Sequence, residues 1–326
     1  MLSSFADCRK QLEEGNLAVL PTETVYGLAA NGLCHSAVKK IFRLKGRPTV
    51  NPVILHVQNI QRALEYAEVC EQALKLAKYF WPGPLTLLLN KKEIVPGIVT
   101  ANLNTVGLRS PSNETFQAML NCLDFPLAAP SANPSNRTSP TTASQVVDFF
   151  GIDCPPVLDD GPANLGIEST ILDLTSSTPC VVRPGHISAG LIGECLDLEV
   201  KTSKKFHDIE SPEQISPGSS QLHYAPLTPT LLHSSQESCL NYNAFSNSDL
   251  LLLPDATKNQ NFKGLACSID YLSKDGDLKE IAHSIYRKLH EADRAKFSKL
   301  HLCLLDEKDE LALAINDRIT RACGKK

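Results

Sequence analysis

The stretch from Lys45 to His56 constrains this chain more than any other: Lys-Gly-Arg-Pro-Thr-Val-Asn-Pro-Val-Ile-Leu-His. Pro48 and Pro52 each fix φ and remove a backbone donor, so no helix runs through it, and the apolar run that follows reads as a buried strand. Lys45 and Arg47 are therefore expected on a short rigid loop at a sheet edge. In extended chain, residues i and i+2 point the same way, so both cations would face one polyanion, with Asn51 and His56 bracketing the strand as neutral polar groups. Such a loop suits the phosphates of a nucleotide. It equally suits a solvated surface with two unrelated charges.

With 326 residues the chain exceeds one ordinary core and suits a large domain plus a small one. Its net charge of -4 argues against coating a nucleic acid, so any basic site is local. The 11 cysteines are scattered without a Cys-x-x-Cys pair or a Cys/His cluster, which supports neither a zinc site nor a disulfide framework and suits a reducing cytoplasm. No stretch is apolar for the length of a bilayer, and the first residues lack a basic n-region. Neither membrane insertion nor export is expected.

In order, residues 3 to 14 read as a helix with Ser3 or Ser4 as N-cap and Gly15 as stop, and Leu17 to Leu20 as a buried strand. The strand enters Pro21-Thr-Glu-Thr-Val-Tyr-Gly-Leu-Ala-Ala-Asn, dense in hydroxyls and small residues, a candidate binding loop. A helix to Leu44 precedes the opening stretch. Helices over 60–67 and 71–80 stop at Trp81-Pro-Gly-Pro, and Leu85 to Leu89 is a strand. Arg109 closes the strand in Thr105-Val-Gly-Leu-Arg, where its planar fork would clamp a carboxylate. A second hydroxyl-rich, proline-pinned loop follows Leu127-Ala-Ala-Pro-Ser-Ala-Asn. Further strands are expected at Val157 to Gly161 and near Ser169, Thr170 and Arg183. Periodicity is lost from Lys201 to Pro226, which reads as a linker. Beyond it, strands at 230–233, 249–253, 266–271 and 300–305 alternate with helices at 277–296 and 309–323, a small and mainly parallel α/β domain without a chemical motif of its own.

There is no Walker loop, no Gly-x-Gly-x-x-Gly turn and no Gly-x-Ser-x-Gly elbow. Cations and hydroxyls on strand ends, without a nucleophile and base pair, describe a site that positions and neutralises anions. No residue is assigned as catalytic and none as a metal ligand.

Together, Pro21-Thr-Glu-Thr-Val-Tyr-Gly-Leu, Lys45-Gly-Arg-Pro with Asn51-Pro, Trp81-Pro-Gly-Pro-Leu-Thr, Gly107-Leu-Arg, Pro130-Ser-Ala-Asn, Glu168-Ser-Thr, Arg183-Pro-Gly, His223-Tyr-Ala-Pro and Ala314-Ile-Asn-Asp-Arg-Ile resemble, in order, the YrdC-type family of long two-domain threonylcarbamoyl-AMP synthases. The resemblance covers nearly the whole chain. It implies a twisted mixed-sheet YrdC-like domain with a basic concave face over 1–200, a linker or lid over 201–226, and a small Rossmann-like parallel α/β domain over 227–326. It also implies that L-threonine, bicarbonate or CO₂, and ATP with Mg²⁺ give threonylcarbamoyl-AMP and pyrophosphate for the t6A modification of tRNA. Handover of the product to a tRNA threonylcarbamoyl-transferase complex, with direct tRNA contact as a further option, goes with it. On this sequence Thr24, His56, Arg109, Ala129 and Ser169 would line the threonine pocket. Lys45, Arg47, Asn51, Thr105, Ser131, Ser139, Arg183 and Tyr224 would hold ATP.

The chain departs from the family pattern at Asn136, where a glycine is usual and where asparagine tolerates left-handed φ, and at Ser219, Ser220 and Gln221 in the linker. Two other readings stand beside it. One is a carbamoyl-transfer enzyme of hydrogenase maturation, whose acylphosphatase-like region and Cys-x-x-Cys zinc motifs this sequence does not show. The other is a tRNA- or double-stranded-RNA-binding module without catalysis.

Overall fold

A computed structural model describes residues 2–203, 223–257, 262 and 264–324. Helix α1 (Phe5–Glu13) starts at Ser4, which forms a capping box with Asp7 and turns Cys8 and Leu12 inward. Strand β1 (Ala18–Leu20) pairs antiparallel with β2 (Gly27–Asn31), Val19 opposite Leu28. The expected loop from Pro21 to Asn31 is thus shorter than read: its second half is a fully paired strand. Helix α2 (His35–Lys45) ends at Gly46 with φ +60°, so Lys45 belongs to the helix and not to extended chain.

The remaining strands of the first unit are β3 (Leu55–His56), β4 (Leu85–Asn90), β5 (Thr105–Arg109), β6 (Leu127–Ala128), β7 (Thr170–Asp173), β8 (Cys180–Arg183) and β9 (Lys201–Thr202). They form a mixed sheet in the order β1-β2-β6-β3-β5-β4-β7-β8-β9. Parallel β3 and β5 put His56 opposite Arg109 at the middle of the sheet. The flanking helices are α3 (Ile60–Ala63), α4 (Glu71–Phe80), α5 (Gly97–Thr100), α6 (Glu114–Asn121), α7 (Ala143–Phe150) and α8 (Ala189–Leu196). Helix α3 stops four residues before the expected Ala67, and Val157 makes only isolated bridges where a strand to Gly161 was expected.

The second unit holds β10 (Thr230–His233), α9 (Gln236–Leu240), β11 (Asp249–Asp255), β12 (Ser268–Ser273), α10 (Leu278–Ala295), β13 (Lys299–Cys303) and α11 (Glu310–Cys323). Its sheet is parallel throughout, ordered β10-β13-β11-β12. The run of leucines in β11 alternates faces: Leu250 and Leu252 pack with α10 and α11, while Leu251 and Leu253 pack with Cys239 and Phe262.

The two units meet along α10 and α11. Gly166, at φ +82°, lets α10 approach: a Cβ there would lie 2.3 Å from the Ala282 carbonyl oxygen. Glu310 accepts from the amides of Ala189 and Gly190 at 2.5 and 3.0 Å, and His290 bonds Asp148 at 3.0 Å. Among the described residues no helix is long and apolar enough to cross a membrane.

Candidate active site

The loop joining β1 to β2 is fixed by Thr22, whose hydroxyl donates to the Val25 carbonyl at 2.6 Å and accepts from the amides of Thr24 and Val25. That turn holds Thr24 and Glu23 against the end of β5. Arg109 donates from Nη2 to Thr24 Oγ1 at 3.0 Å, and the same nitrogen lies 2.7 Å from Glu23 Oε1. His56 stands beside it on β3; burial and the Arg109 charge push its pKa down to about 3, which keeps the imidazole neutral. Ala129 follows β6 on the same wall. Ser169, just before β7, lies behind that wall, its Oγ 2.8 Å from Thr86 Oγ1 and accepting from Arg183 Nη2 at 3.0 Å.

Lys45 and Arg47 do come together, but by a different route from the one the sequence suggests. Because Gly46 turns the chain out of α2, the two side chains are not parallel neighbours of an extended loop. The Lys45 ammonium donates to the carbonyls of Ser131 and Asn133 at 2.5 Å each, and Arg47 donates to those of Asn51 and Pro52 at 3.4 and 3.1 Å. Both are buried, which a solvated surface loop would not be. Burial, and then the neighbouring Arg47, hold Lys45 well below its usual pKa; burial brings Arg47 down to about 10. These cations are paid for in desolvation and face few anions, so they suit an incoming one.

Arg183, at the end of β8, donates from Nε to the Ser169 carbonyl at 3.0 Å. Ser139 does not line the cavity; its hydroxyl donates to Glu168 Oε1 at 2.6 Å. Thr105 is set further apart, on a neighbouring cavity of about 10 Å³ that shares Ile54 with the main one. The loop carrying Asn136 takes the left-handed conformation expected of it, with φ +67°.

His223 and Tyr224 form the roof. The Tyr224 carbonyl accepts from Thr138 Oγ1 at 3.2 Å, Ala225 donates its amide to the Asn136 carbonyl at 2.9 Å, and the His223 amide bonds the Arg321 carbonyl at 3.3 Å. Both units thus hold this segment. Tyr224 has φ +63°, a conformation that a bulky residue adopts only where its surroundings impose it. Burial and Glu168 push its hydroxyl up to about 12. The expected lid begins later than Lys201, because Lys201 and Thr202 are strand β9, paired with β8; residues 204–222, including Ser211 and Ser219 to Gln221, lie outside the described residues.

Beneath this roof is a chamber of about 50 Å³ bounded by Thr24, His56, Arg47, Arg109, Arg183 and Tyr224, among others. Three of its lining residues carry buried polar atoms without a hydrogen-bond partner, His56 Nδ1, Arg109 Nε and His223 Nδ1, and Asn51 Oδ1 and Glu23 Oε2, on residues outside the lining, are unpartnered too. Buried groups of this kind are rare and costly, and their convergence marks a place for a polar ligand.

Sequence reasoning gave no role to Glu168, Tyr286 or Arg318. Glu168 accepts from Tyr286 Oη at 2.9 Å and from Arg318 Nε at 3.2 Å, both from the second unit. Glu168 and Arg318 do occur in motifs that carry the resemblance. Nothing in their neighbourhoods along the chain says that they meet.

Residues 10–185 match the Sua5/YciO/YrdC family model, described as telomere recombination, and residues 187–324 match the model described as the threonylcarbamoyl-AMP synthase C-terminal domain. A threonylcarbamoyl-AMP synthase of Pyrococcus abyssi is 35% identical over 96% of this chain and 92% of its own length. One of Schizosaccharomyces pombe is 32% identical over 93% of this chain and 84% of its own. The crystal structure of P. abyssi Sua5 complexed with L-threonine superposes with a TM-score of 0.87 at 32% identity, covering 98% of this chain and 94% of that one. The chain belongs to the two-domain threonylcarbamoyl-AMP synthase family, a family of enzymes.

Proposed function

We propose that the chamber beneath Tyr224 is where this chain converts L-threonine, bicarbonate or CO₂, and ATP into threonylcarbamoyl-AMP and pyrophosphate, the first step of t6A formation in tRNA. The observation that carries this is the gathering of buried cations and partnerless polar atoms at the positions that the family motifs mark. Arg109 would take the threonine carboxylate with its fork, and Thr24 and neutral His56 the hydroxyl and amine. Ala129 and Ser169 would shape the remaining wall. The free amine and CO₂ give a carbamate without help from a protein nucleophile, the amine proton passing to water; a carbamate oxygen attacks the α-phosphorus, the bond from α-phosphorus to the bridging β-phosphate oxygen breaks, and pyrophosphate leaves.

The protein's share is to bring anions together and stabilise charge as it shifts. Lys45, Arg47 and Arg183 would face the phosphates, with Asn51 and Ser131 beside them and Ser139 and Thr105 in support. ATP enters as its Mg²⁺ complex. Among the described residues no group of three acidic, histidine or cysteine side chains could hold a metal, and in this reading the ion comes with the phosphates.

With Tyr224 in place the chamber has room for a few waters and none for a nucleotide. The His223–Tyr224 segment would therefore withdraw to admit ATP and close to keep water from the adenylate until a tRNA threonylcarbamoyl-transferase receives it. Incubation with ATP, labelled bicarbonate and threonine should yield labelled adenylate and pyrophosphate in equal amounts. Tyr224→Ala should weaken ATP binding and lower the yield of intact adenylate per pyrophosphate while threonine still binds. Pyrophosphate release independent of threonine, or no labelled adenylate, would refute the reading.

A further inference from the structure

We propose that Arg318, from the last helix of the second unit, is a positioning residue for ATP: it neutralises Glu168 and so leaves Arg183 directed at the nucleotide. This rests on the nucleotide reading of the chamber. Arg318 is fully buried, and its Nε lies 3.2 Å from Glu168 Oε2. Its Nη1 donates to the Pro184 carbonyl at 2.8 Å and to Asp317 Oδ2 at 3.1 Å, while its guanidinium carbon stands 5.6 Å from the centre of the Tyr224 ring. One fork thus reaches the residue after Arg183, the carboxylate beside Ser169 and the roof of the chamber.

Glu168 lines the chamber, and both its oxygens are occupied by residues outside that lining. Oε1 accepts from Ser139, and Oε2 from Tyr286 and Arg318. Burial works against its charge, but Arg318, then Arg183 and Ser139, outweigh that and hold its pKa lowered. Arg183 is next to the same carboxylate, yet its Nε and Nη2 go to Ser169. A buried carboxylate that lost Arg318 would keep Arg183 as its nearest compensating cation and draw that guanidinium out of the phosphate site. Asp317, which also accepts from Arg321 at 2.8 Å, anchors Arg318 on its far side so that it stays with Glu168 when a polyanion enters. The second unit thereby completes the active site electrostatically without touching substrate.

Steady-state pyrophosphate release by the full chain separates this from a structural prop, with circular dichroism confirming the fold of each variant. Arg318→Met should raise KM for ATP about tenfold or more while KM for threonine stays within about twofold. Glu168→Gln in the same chain should restore KM for ATP to within about threefold of the parent, because the uncompensated carboxylate is gone. Arg318→Lys should fall between, since an ammonium supplies charge but cannot span Glu168 and the Pro184 carbonyl. If Arg318→Met does not fold, Arg318→Lys and Glu168→Gln carry the test: the first raising KM for ATP alone, the second leaving it near the parent value. Equal rises in both KM values, or a double variant as poor as the single, would overturn the inference. A parent enzyme without threonine-dependent ATP turnover would instead overturn the function proposed above.

Discussion

The chamber beneath Tyr224 and the crevice at the carboxyl ends of the small parallel sheet are opposite solutions to making a hollow in a protein. The crevice is the larger by far, about 540 Å³ against about 50 Å³. It lies where α/β sheets commonly bind ligands. Yet among the described residues its charged lining is Glu237, Asp255 and Asp306, without lysine or arginine, and Asp255 accepts from Gln236 Nε2 at 3.1 Å. The chamber is small, is lined by Arg47, Arg109 and Arg183 against Glu168, and holds unpartnered polar atoms on His56, Arg109 and His223. Size favours the crevice, whereas sign of charge and unmet hydrogen bonding favour the chamber for a triphosphate.

The largest effect that sharpens this contrast is removal of Arg47, which lines the chamber, or of Lys45, whose ammonium holds the carbonyl of the lining residue Ser131. Lys45→Ala or Arg47→Ala should lower turnover about tenfold to a hundredfold, about 1.4 to 3 kcal/mol, in steady-state assays of folded protein. Full activity in both would break the contrast at its cationic end. Next comes the amino-acid pocket. Valine in place of threonine leaves buried polar groups unpaired at a cost of about 1 to 3 kcal/mol in kcat/KM, with serine the nearest competitor. Equal pyrophosphate release with valine and threonine would show that the partnerless atoms do not read the hydroxyl.

Much of this was legible along the chain, and what was not has physical causes. The small unit's strands and long helices follow from alternating apolar runs and long amphipathic ones, so β10 to β13, α10 and α11 fall close to expectation. Helices α6 and α7 escaped because each has eight residues, although Asn113 accepting from Phe116 and the Thr142–Gln145 capping box announce them. Strands β3 and β6 are two residues long and show no period; they were legible only as the apolar runs after Pro52 and before Pro130, without their bounds. In the site, residues within motifs could be read, but the turn at Gly46 that aims Lys45 could not be distinguished from an extended loop. The Glu168–Arg318 pair is 150 residues apart, and no local pattern reports such a meeting.

Burial of neutral His56 makes the chamber acid-sensitive. Its pKa is about 3 folded against 6.5 for the ordinary side chain, so the unfolded chain binds the proton more tightly. The His56 contribution to stability is complete above about pH 6.5 and is lost as pH falls toward 3, by up to about 1.4 kcal/mol per pH unit. Urea unfolding of His56→Gln at pH 5 and 7 should show a shallower loss on acidification than the parent. An unchanged slope would mean that the imidazole is not held neutral in the folded chain.

The most direct test is calorimetric titration of ATP into three chains: the parent, Lys45→Ala/Arg47→Ala, and Asp255→Asn/Asp306→Asn. One ATP per parent chain is expected, with binding lost in the first variant and kept within about twofold in the second. A second ATP on the parent, or binding that survives loss of the chamber cations but not of the crevice carboxylates, would contradict the assignment of the nucleotide to the chamber.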